Sequence, residues 1–205
     1  APGSEVADLE HTANLLRPWV SAKGTSPQTK MLYADVLNHL SHHQPKSQGI
    51  ATCEEGRKIL LDVCARDLSN LQAASIYADT SDSQARHSLY LGKVEEAGQL
   101  EAEVYSVAQK VLALRPGDLR AMANLGYGAD LLGRLALRRG DFAAATSYAA
   151  KSESAGEDFV RFNPSDVGAW AFWIRGRDLS AAVHLEQGRV ASAIIRRSPS
   201  PSSAM

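Results

Sequence analysis

Cysteine is nearly absent from this chain. The two that occur, Cys53 and Cys64, lie in one stretch of helical pattern. At 1.5 Å rise per residue they stand roughly 16 Å apart, beyond the reach of a disulfide, so both are assigned to the core as thiols. Aromatic residues are scarce, at 6% of the chain. No run of 18 apolar residues occurs, which argues against a membrane-spanning helix. Neither sign of charge dominates, since 22 Lys and Arg stand against 23 Asp and Glu. That balance does not suit a nucleic-acid binder driven by phosphate neutralisation. No stretch reads as a strand. There is no signal peptide and no initiating methionine, and the expectation is a cytoplasmic segment of something longer.

What the chain does have is a long internal period. Pro116 and Asp118 return as Pro164 and Asp166, and Asp130, Leu137, Gly140 and Ala145 return as Asp178, Leu185, Gly188 and Ala193, all 48 residues on. Backwards by the same distance lie Asn70, Asp82, Leu89, Gly92 and Ala97. A fixed period of helical character predicts an all-α solenoid in which each unit buries its apolar face against its neighbours.

Within one period, Asp118 is an N-cap residue ahead of Leu119, Met122, Ala123, Gly126, Gly133 and Leu137 at helical spacing. This is helix A, ending at Gly140. Phe142, Ala145, Tyr148, Ala149, Phe159 and Phe162 outline helix B, stopped at Asn163 and Pro164, because the residue before proline is pushed out of the α region. A short turn joins the two as an αα-hairpin.

Leu132 with Gly133, then Gly140, Phe142 and Ala145, resemble the landmarks of the tetratricopeptide repeat family. The small residue at Gly133 recurs as Ala85 and Ala181, as a close helix crossing requires. The period exceeds that family's roughly 34 residues by about 14. Seven residues added to each helix make about two turns, which keeps every face in its direction. The resemblance, to a long-helix variant, covers roughly residues 26–193 and implies antiparallel helix pairs with helix A lining a concave groove.

Residues 1–197 are therefore expected to form one helical repeat domain. A half unit at 5–20 carries Pro18 as a potential kink; units follow at 26–69, 70–117 and 118–165, then a partial unit at 166–197. The Ser- and Pro-rich residues 198–205 are expected to be a disordered tail. The first unit is four residues shorter, since Leu32, Tyr33, Ala34 and Asp35 reappear as Ile76, Tyr77, Ala78 and Asp79 after 44. Its loop is placed at Pro45 and Gly49, and Cys53 is matched with Ala97. Helix A2, Asn70 to Leu91, has a polar middle, Asp79 to Gln84, that argues against its continuity. Both ends are uncapped half units, with Leu9, Leu16, Ile194 and Ile195 short of neighbours, so self-association is expected.

Signals for chemistry are sparse. Gly128, Gly133 and Arg134 lie in a helix and lack the strand, lysine and hydroxyl of a phosphate loop. His39, His42 and His43 share a helix face but lack the ligand set of a zinc site, and no cofactor or metal is expected. Trp170 and Trp173, with Arg177 one turn on, could stack on a ligand ring, yet Trp173 shares its register with Leu125 and Tyr77, which assigns it to packing. Trp170 lines up with Met122 and Ala74. The fuller pattern is a polar stripe along the A helices. The family resemblance places Arg120, Tyr127, Asp130, Arg134 and Arg138 on the concave face, with Asp79, Asp82 and Arg86 and with Arg175 and Asp178 at equivalent positions. Asn38 and His42 extend two of these rungs into the first unit. Helical i, i+4 pairing alone, at about 0.2–0.5 kcal/mol, gives little reason to repeat the same polar choice.

The function expected is a non-catalytic scaffold that binds a protein or peptide segment. The style of segments such as Val111 to Gly126 resembles repeat arrays attached to bacterial signalling proteins, which implies a regulatory or sensory segment. The alternative is a small-ligand domain, or a piece of an enzyme such as a Ser/Thr kinase or cyclase, using the aromatic positions.

Overall fold

The computed structural model describes residues 2–66, 69–165 and 167–189, and among them the chain is all-α, with no strand. It divides into two compact units, Ala1–Leu114 and Arg115–Met205. The first holds α1 (Pro2–Ser21), α2 (Pro27–His43), α3 (Lys46–Arg66), α4 (Leu71–Tyr90) and α5 (Val94–Leu114). In the second lie α6 (Leu119–Arg138), α7 (Phe142–Phe162) and α8 (Val167–Glu186). Within each unit every helix packs on the next, in a solenoid-like, repeat-like order, and α2 also meets α4 as α6 meets α8. No described helix is long and apolar enough to cross a membrane.

The helix ends follow from local chemistry. Ser26, Asn70, Asp118 and Asp141 each accept a hydrogen bond from the backbone N–H three residues on, filling donors that the first turn leaves open. Three helix ends close alike. Gly92, Gly140 and Gly188 take φ of 78°, 73° and 71°, which a residue without Cβ adopts freely. Lys93 N–H reaches Ser88 O, Asp141 N–H reaches Ala136 O and Arg189 N–H reaches His184 O, the wrapped bond of a Schellman stop. Pro18 does not end α1, which runs on to Ser21.

The joint between α2 and α3 is different, and together with a shorter α2 it accounts for the shorter first unit. Only Gln44 and Pro45 separate these helices, and Gly49 belongs to the first turn of α3 rather than to a loop. Three of the four missing residues come from the end of α2, which has 17 residues against 20 in α4, and one from the joint, so α3 maps onto α5 by 48 and not by 44. Gly49, Cys53, Gly56, Leu60 and Val63 are buried, as are Ala97, Glu101, Val104, Ala108 and Val111. Cys53 therefore matches Glu101, and Ala97 matches Gly49. Burial pushes the Cys53 thiol up to about 11, which suits a core thiol.

In the first unit Ala13, Tyr33, Val36 and Leu37 join α1 to α2. Met31, Ala34, Leu60, Val63, Ala73, Ile76 and Tyr77 join α2, α3 and α4, and Ala85, Ala97 and Leu100 join α4 to α5. The polar middle of α4 does not break it. Thr80, Ser81, Asp82, Ser83, Gln84, His87 and Ser88 are all buried. Thr80 and Ser81 hydroxyls donate to the carbonyls of Ile76 and Tyr77. Arg57 donates to Gln84 Oε1, and Ser88 Oγ donates to Glu96. These bonds let polar residues occupy a core that their types would otherwise avoid.

The second unit is built by close approach. Ala136, Ala145, Ala149, Leu179 and Val183 form its core cluster. A Cβ on Gly133 would stand 2.6 Å from Leu179 Cδ2 and 3.1 Å from Tyr148 Cβ, so these helices cross closely here and a side chain would have to displace Leu179. Its equivalents Ala85 and Ala181 are fully buried. Gly126 is tighter still, since a Cβ there would meet Phe172 Cζ at 1.8 Å. Asp166, where the Asp118 cap would recur, the end of the partial unit from Val190 with Ile194 and Ile195, and the tail 198–205 lie outside the described residues.

Candidate functional site

The A-series helices carry the polar stripe, and two of its rungs share one construction. On α4, Arg86 Nε donates to Asp82 Oδ2 at 2.7 Å. On α6, one unit later, Arg134 Nε reaches both oxygens of Asp130 at 3.0 Å, and Nη2 lies 2.9 Å from Oδ1. The carboxylates sit low, with side-chain exposures of 12% and 9%, while the guanidinium side chains are 40% and 43% exposed. Each acid is thus an anchor beneath an arginine. What the surface shows at these rungs is a held guanidinium above its carboxylate.

The other stripe residues differ. Tyr127 and Arg175, at equivalent positions of α6 and α8, meet, with the guanidinium 5.5 Å from the ring centre. Asp79 and Arg120 are half-buried, whereas Arg138 and Asp178 are exposed. Asn38 is buried and His42 is exposed with its inner edge toward α4, where Nε2 lies 3.3 Å from Ser83 Oγ. His42 and His87 face one another at 6.1 Å. Burial, followed by the charges of Lys46 and His42, holds the His87 imidazole below its ordinary value. His39 and His43 point to solvent, and among the described residues no group of three His, Cys, Asp or Glu is placed to hold a metal.

The aromatic positions on α8 are brought together but committed inward. Trp170 and Trp173 meet edge-on at 5.8 Å. Trp170 Nε1 donates to Pro164 O at 2.8 Å. Arg177 lies 4.8 Å over the Trp173 ring, and the Trp173 backbone packs on Gly156, where a Cβ would come within 2.6 Å of Trp173 Cα. Both tryptophans are half-buried, and the residue that fills the core is their neighbour Phe172.

One repeated arrangement escapes a reading of the sequence. Tyr33 of α2 donates to Glu55 Oε1 of α3 at 2.6 Å while accepting from Arg17 of α1 at 3.0 Å. Tyr77 of α4 donates to Glu103 Oε1 of α5 at 2.6 Å while accepting from Arg57 of α3 at 2.9 Å, and Arg57 also reaches Glu103 Oε2 at 2.8 Å. Burial, reinforced by the hydrogen bond to the carboxylate, raises both tyrosines above their ordinary value. Each set ties three successive helices. The clue in the sequence is that Tyr33 and Tyr77 recur together with Glu55 and Glu103, but only once α3 is shifted by 48. No protein-family model and no curated protein matches this chain.

Proposed function

We propose that the chain is a non-catalytic, tetratricopeptide-like binding segment whose A-helix faces recognise a carboxylate-bearing stretch of another protein. The observation that carries this reading is the repeated clamp, Asp82 under Arg86 and Asp130 under Arg134. A guanidinium held at its Nε edge by a buried acid keeps little rotamer freedom to lose, and its planar fork matches carboxylates. Each such group favours an acidic side chain over a neutral or basic one, and so selects a partner more than it supplies raw affinity. The aromatic alternative is weaker, because the Trp170 N–H and one face of Trp173 are engaged within the chain. A cytoplasmic, regulatory role within a larger signalling protein fits the repeat style and belongs to the same proposal, with a protein rather than nucleic acid as partner.

The test replaces each pair by its uncharged likeness, Asp82→Asn with Arg86→Gln and Asp130→Asn with Arg134→Gln, which keeps an internal hydrogen bond and buries no lone charge. Immobilised acidic, neutral and basic peptides provide the probes. Acidic peptides should be retained by the parent and lost by at least about tenfold in the fourfold variant. Equal retention by parent and variant would refute the reading.

A further inference from the structure

In the first unit the backbones of α3 and α5 stand apart among the described residues, bridged by Arg57 reaching Glu103. They flank a trough of about 560 Å³ floored by the first half of α4, which is within the size range of small-molecule sites. Cys64 of α3, Ala74 and Tyr77 of α4, and Val107, Lys110 and Leu114 of α5 line it. At one end stands Glu103, whose two oxygens already accept from Tyr77 and Arg57.

The preceding hairpin shows why this trough is open. There the positions equivalent to Ala74 and Lys110 are Lys30 and Asp62, which form an ion pair across the gap between α2 and α3. In the second hairpin the lysine of the floor has become alanine, which vacates the space. The aspartate of the wall has become Lys110, a charge with no ion-pair partner among the described residues. The apolar wall beside it is left uncovered: Leu114 is 70% exposed and Leu61 is 49% exposed.

We infer that this trough binds an amphipathic anion of the fatty-acyl type, its carboxylate at Lys110 and its hydrocarbon chain over Ala74, Val107 and Leu114. Because Glu103 is compensated by Arg57 and bonded to Tyr77, the net charge offered to a ligand is that of Lys110, and the site calls for a negative head on an apolar body. This site is separate from the arginine-bearing face proposed above. A carboxylate there is met by a lysine on a greasy wall, not by clamped guanidinium groups.

The experiment compares two probes of equal chain length and opposite head charge, dodecanoate and dodecylammonium, below micelle formation, by calorimetry and by protection of Cys64 from alkylation. The parent should favour dodecanoate by roughly three- to fivefold at low salt, the range of an exposed ion pair. Lys110→Asp should reverse the preference. Ala74→Lys with Lys110→Asp rebuilds the ion pair that the first hairpin already contains, and should fold while losing both probes by at least about tenfold. Failure of the parent to bind either chain, an unchanged preference in Lys110→Asp, or binding that survives in the closed double variant would each overturn the inference. None of these outcomes depends on Arg86 or Arg134.

Discussion

Replacing Gly126 by alanine probes the tightest fit in the second unit. The new methyl carbon would stand 1.8 Å from Phe172 Cζ and 2.7 and 2.8 Å from the two Cε atoms beside it. Carbon atoms in contact sit about 3.5–4.0 Å apart, so the ring must withdraw by roughly 2 Å. It has little room to do so, since Tyr127 meets it edge-on at 4.8 Å, Phe159 at 5.9 Å, and only 1% of the residue is exposed. Overpacking costs about 1–3 kcal/mol, and the size of this displacement puts the cost at the upper end. Alanine regains about 1 kcal/mol over glycine in a helix interior, leaving a net loss of about 2 kcal/mol. Urea unfolding followed by tryptophan emission in a Trp19→Phe background reads the right place, because the other two tryptophans, Trp170 and Trp173, are both in α8. A second substitution makes the reasoning stricter. Phe172→Leu removes the ring atoms that the methyl meets, so it should destabilise the parent yet stabilise Gly126→Ala, a coupling of at least about 1 kcal/mol. Gly126→Ala as stable as the parent, or no coupling with Phe172→Leu, would show that the helices are free to part here.

Acid should weaken the first unit through His87. Its native imidazole is held below the ordinary value, so as pH falls below about 6.5 the unfolded chain takes a proton that the native chain resists. Stability is therefore full above that point and lost below it, and urea midpoints should fall between about pH 7.5 and pH 5 and fall less in His87→Gln. On α1, Leu15 is 58% exposed and Trp19 is 68% exposed, and this apolar edge should make sedimentation of the parent depend on concentration. Leu15→Glu with Trp19→Glu should remove that dependence, and an unchanged profile would place the association elsewhere.

The helices and their joints were legible in the sequence because caps, glycine stops and a period of apolar residues act locally. Asp118 caps its own helix whatever packs on it, and Gly92, Gly140 and Gly188 need positive φ in any surroundings. Burial of polar residues was not legible in the same way. Asp79 to Gln84 looks like a weak spot in a helix, and only the neighbours supplied by α2, α3 and α5 turn it into an interior. The stripe of the A helices was found by its period, but which member of each Asp and Arg pair lies beneath the other depends on helix rotation within the packed unit. Nothing in the sequence singles out Phe172 beside two tryptophans, because size alone does not say which of three neighbouring rings faces a glycine notch. Cys53 falls opposite Ala97 only if one shift of 44 serves the whole first unit, and the shortening at the end of α2 and at Pro45 makes that shift fail from α3 onward.

The buried polar face of α4 bears on how a chain of similar cassettes avoids pairing with itself wrongly. Helices of equal length and period invite docking of one hairpin's helix on another's partner, a common failure of repeat proteins. Laid on a surface like that of α7, whose buried positions include Ala145, Ala149 and Ala155, α4 would leave Ser83, Gln84, His87 and Ser88 without the groups they meet at home. Each orphaned polar group costs about 1–3 kcal/mol. Only its own neighbours, offering His42, Arg57, Ser41 and Glu96, accept it at full strength. Misplacement is thus penalised several times over, and α4 serves as the address that tells the folding chain which of its look-alike hairpins is which.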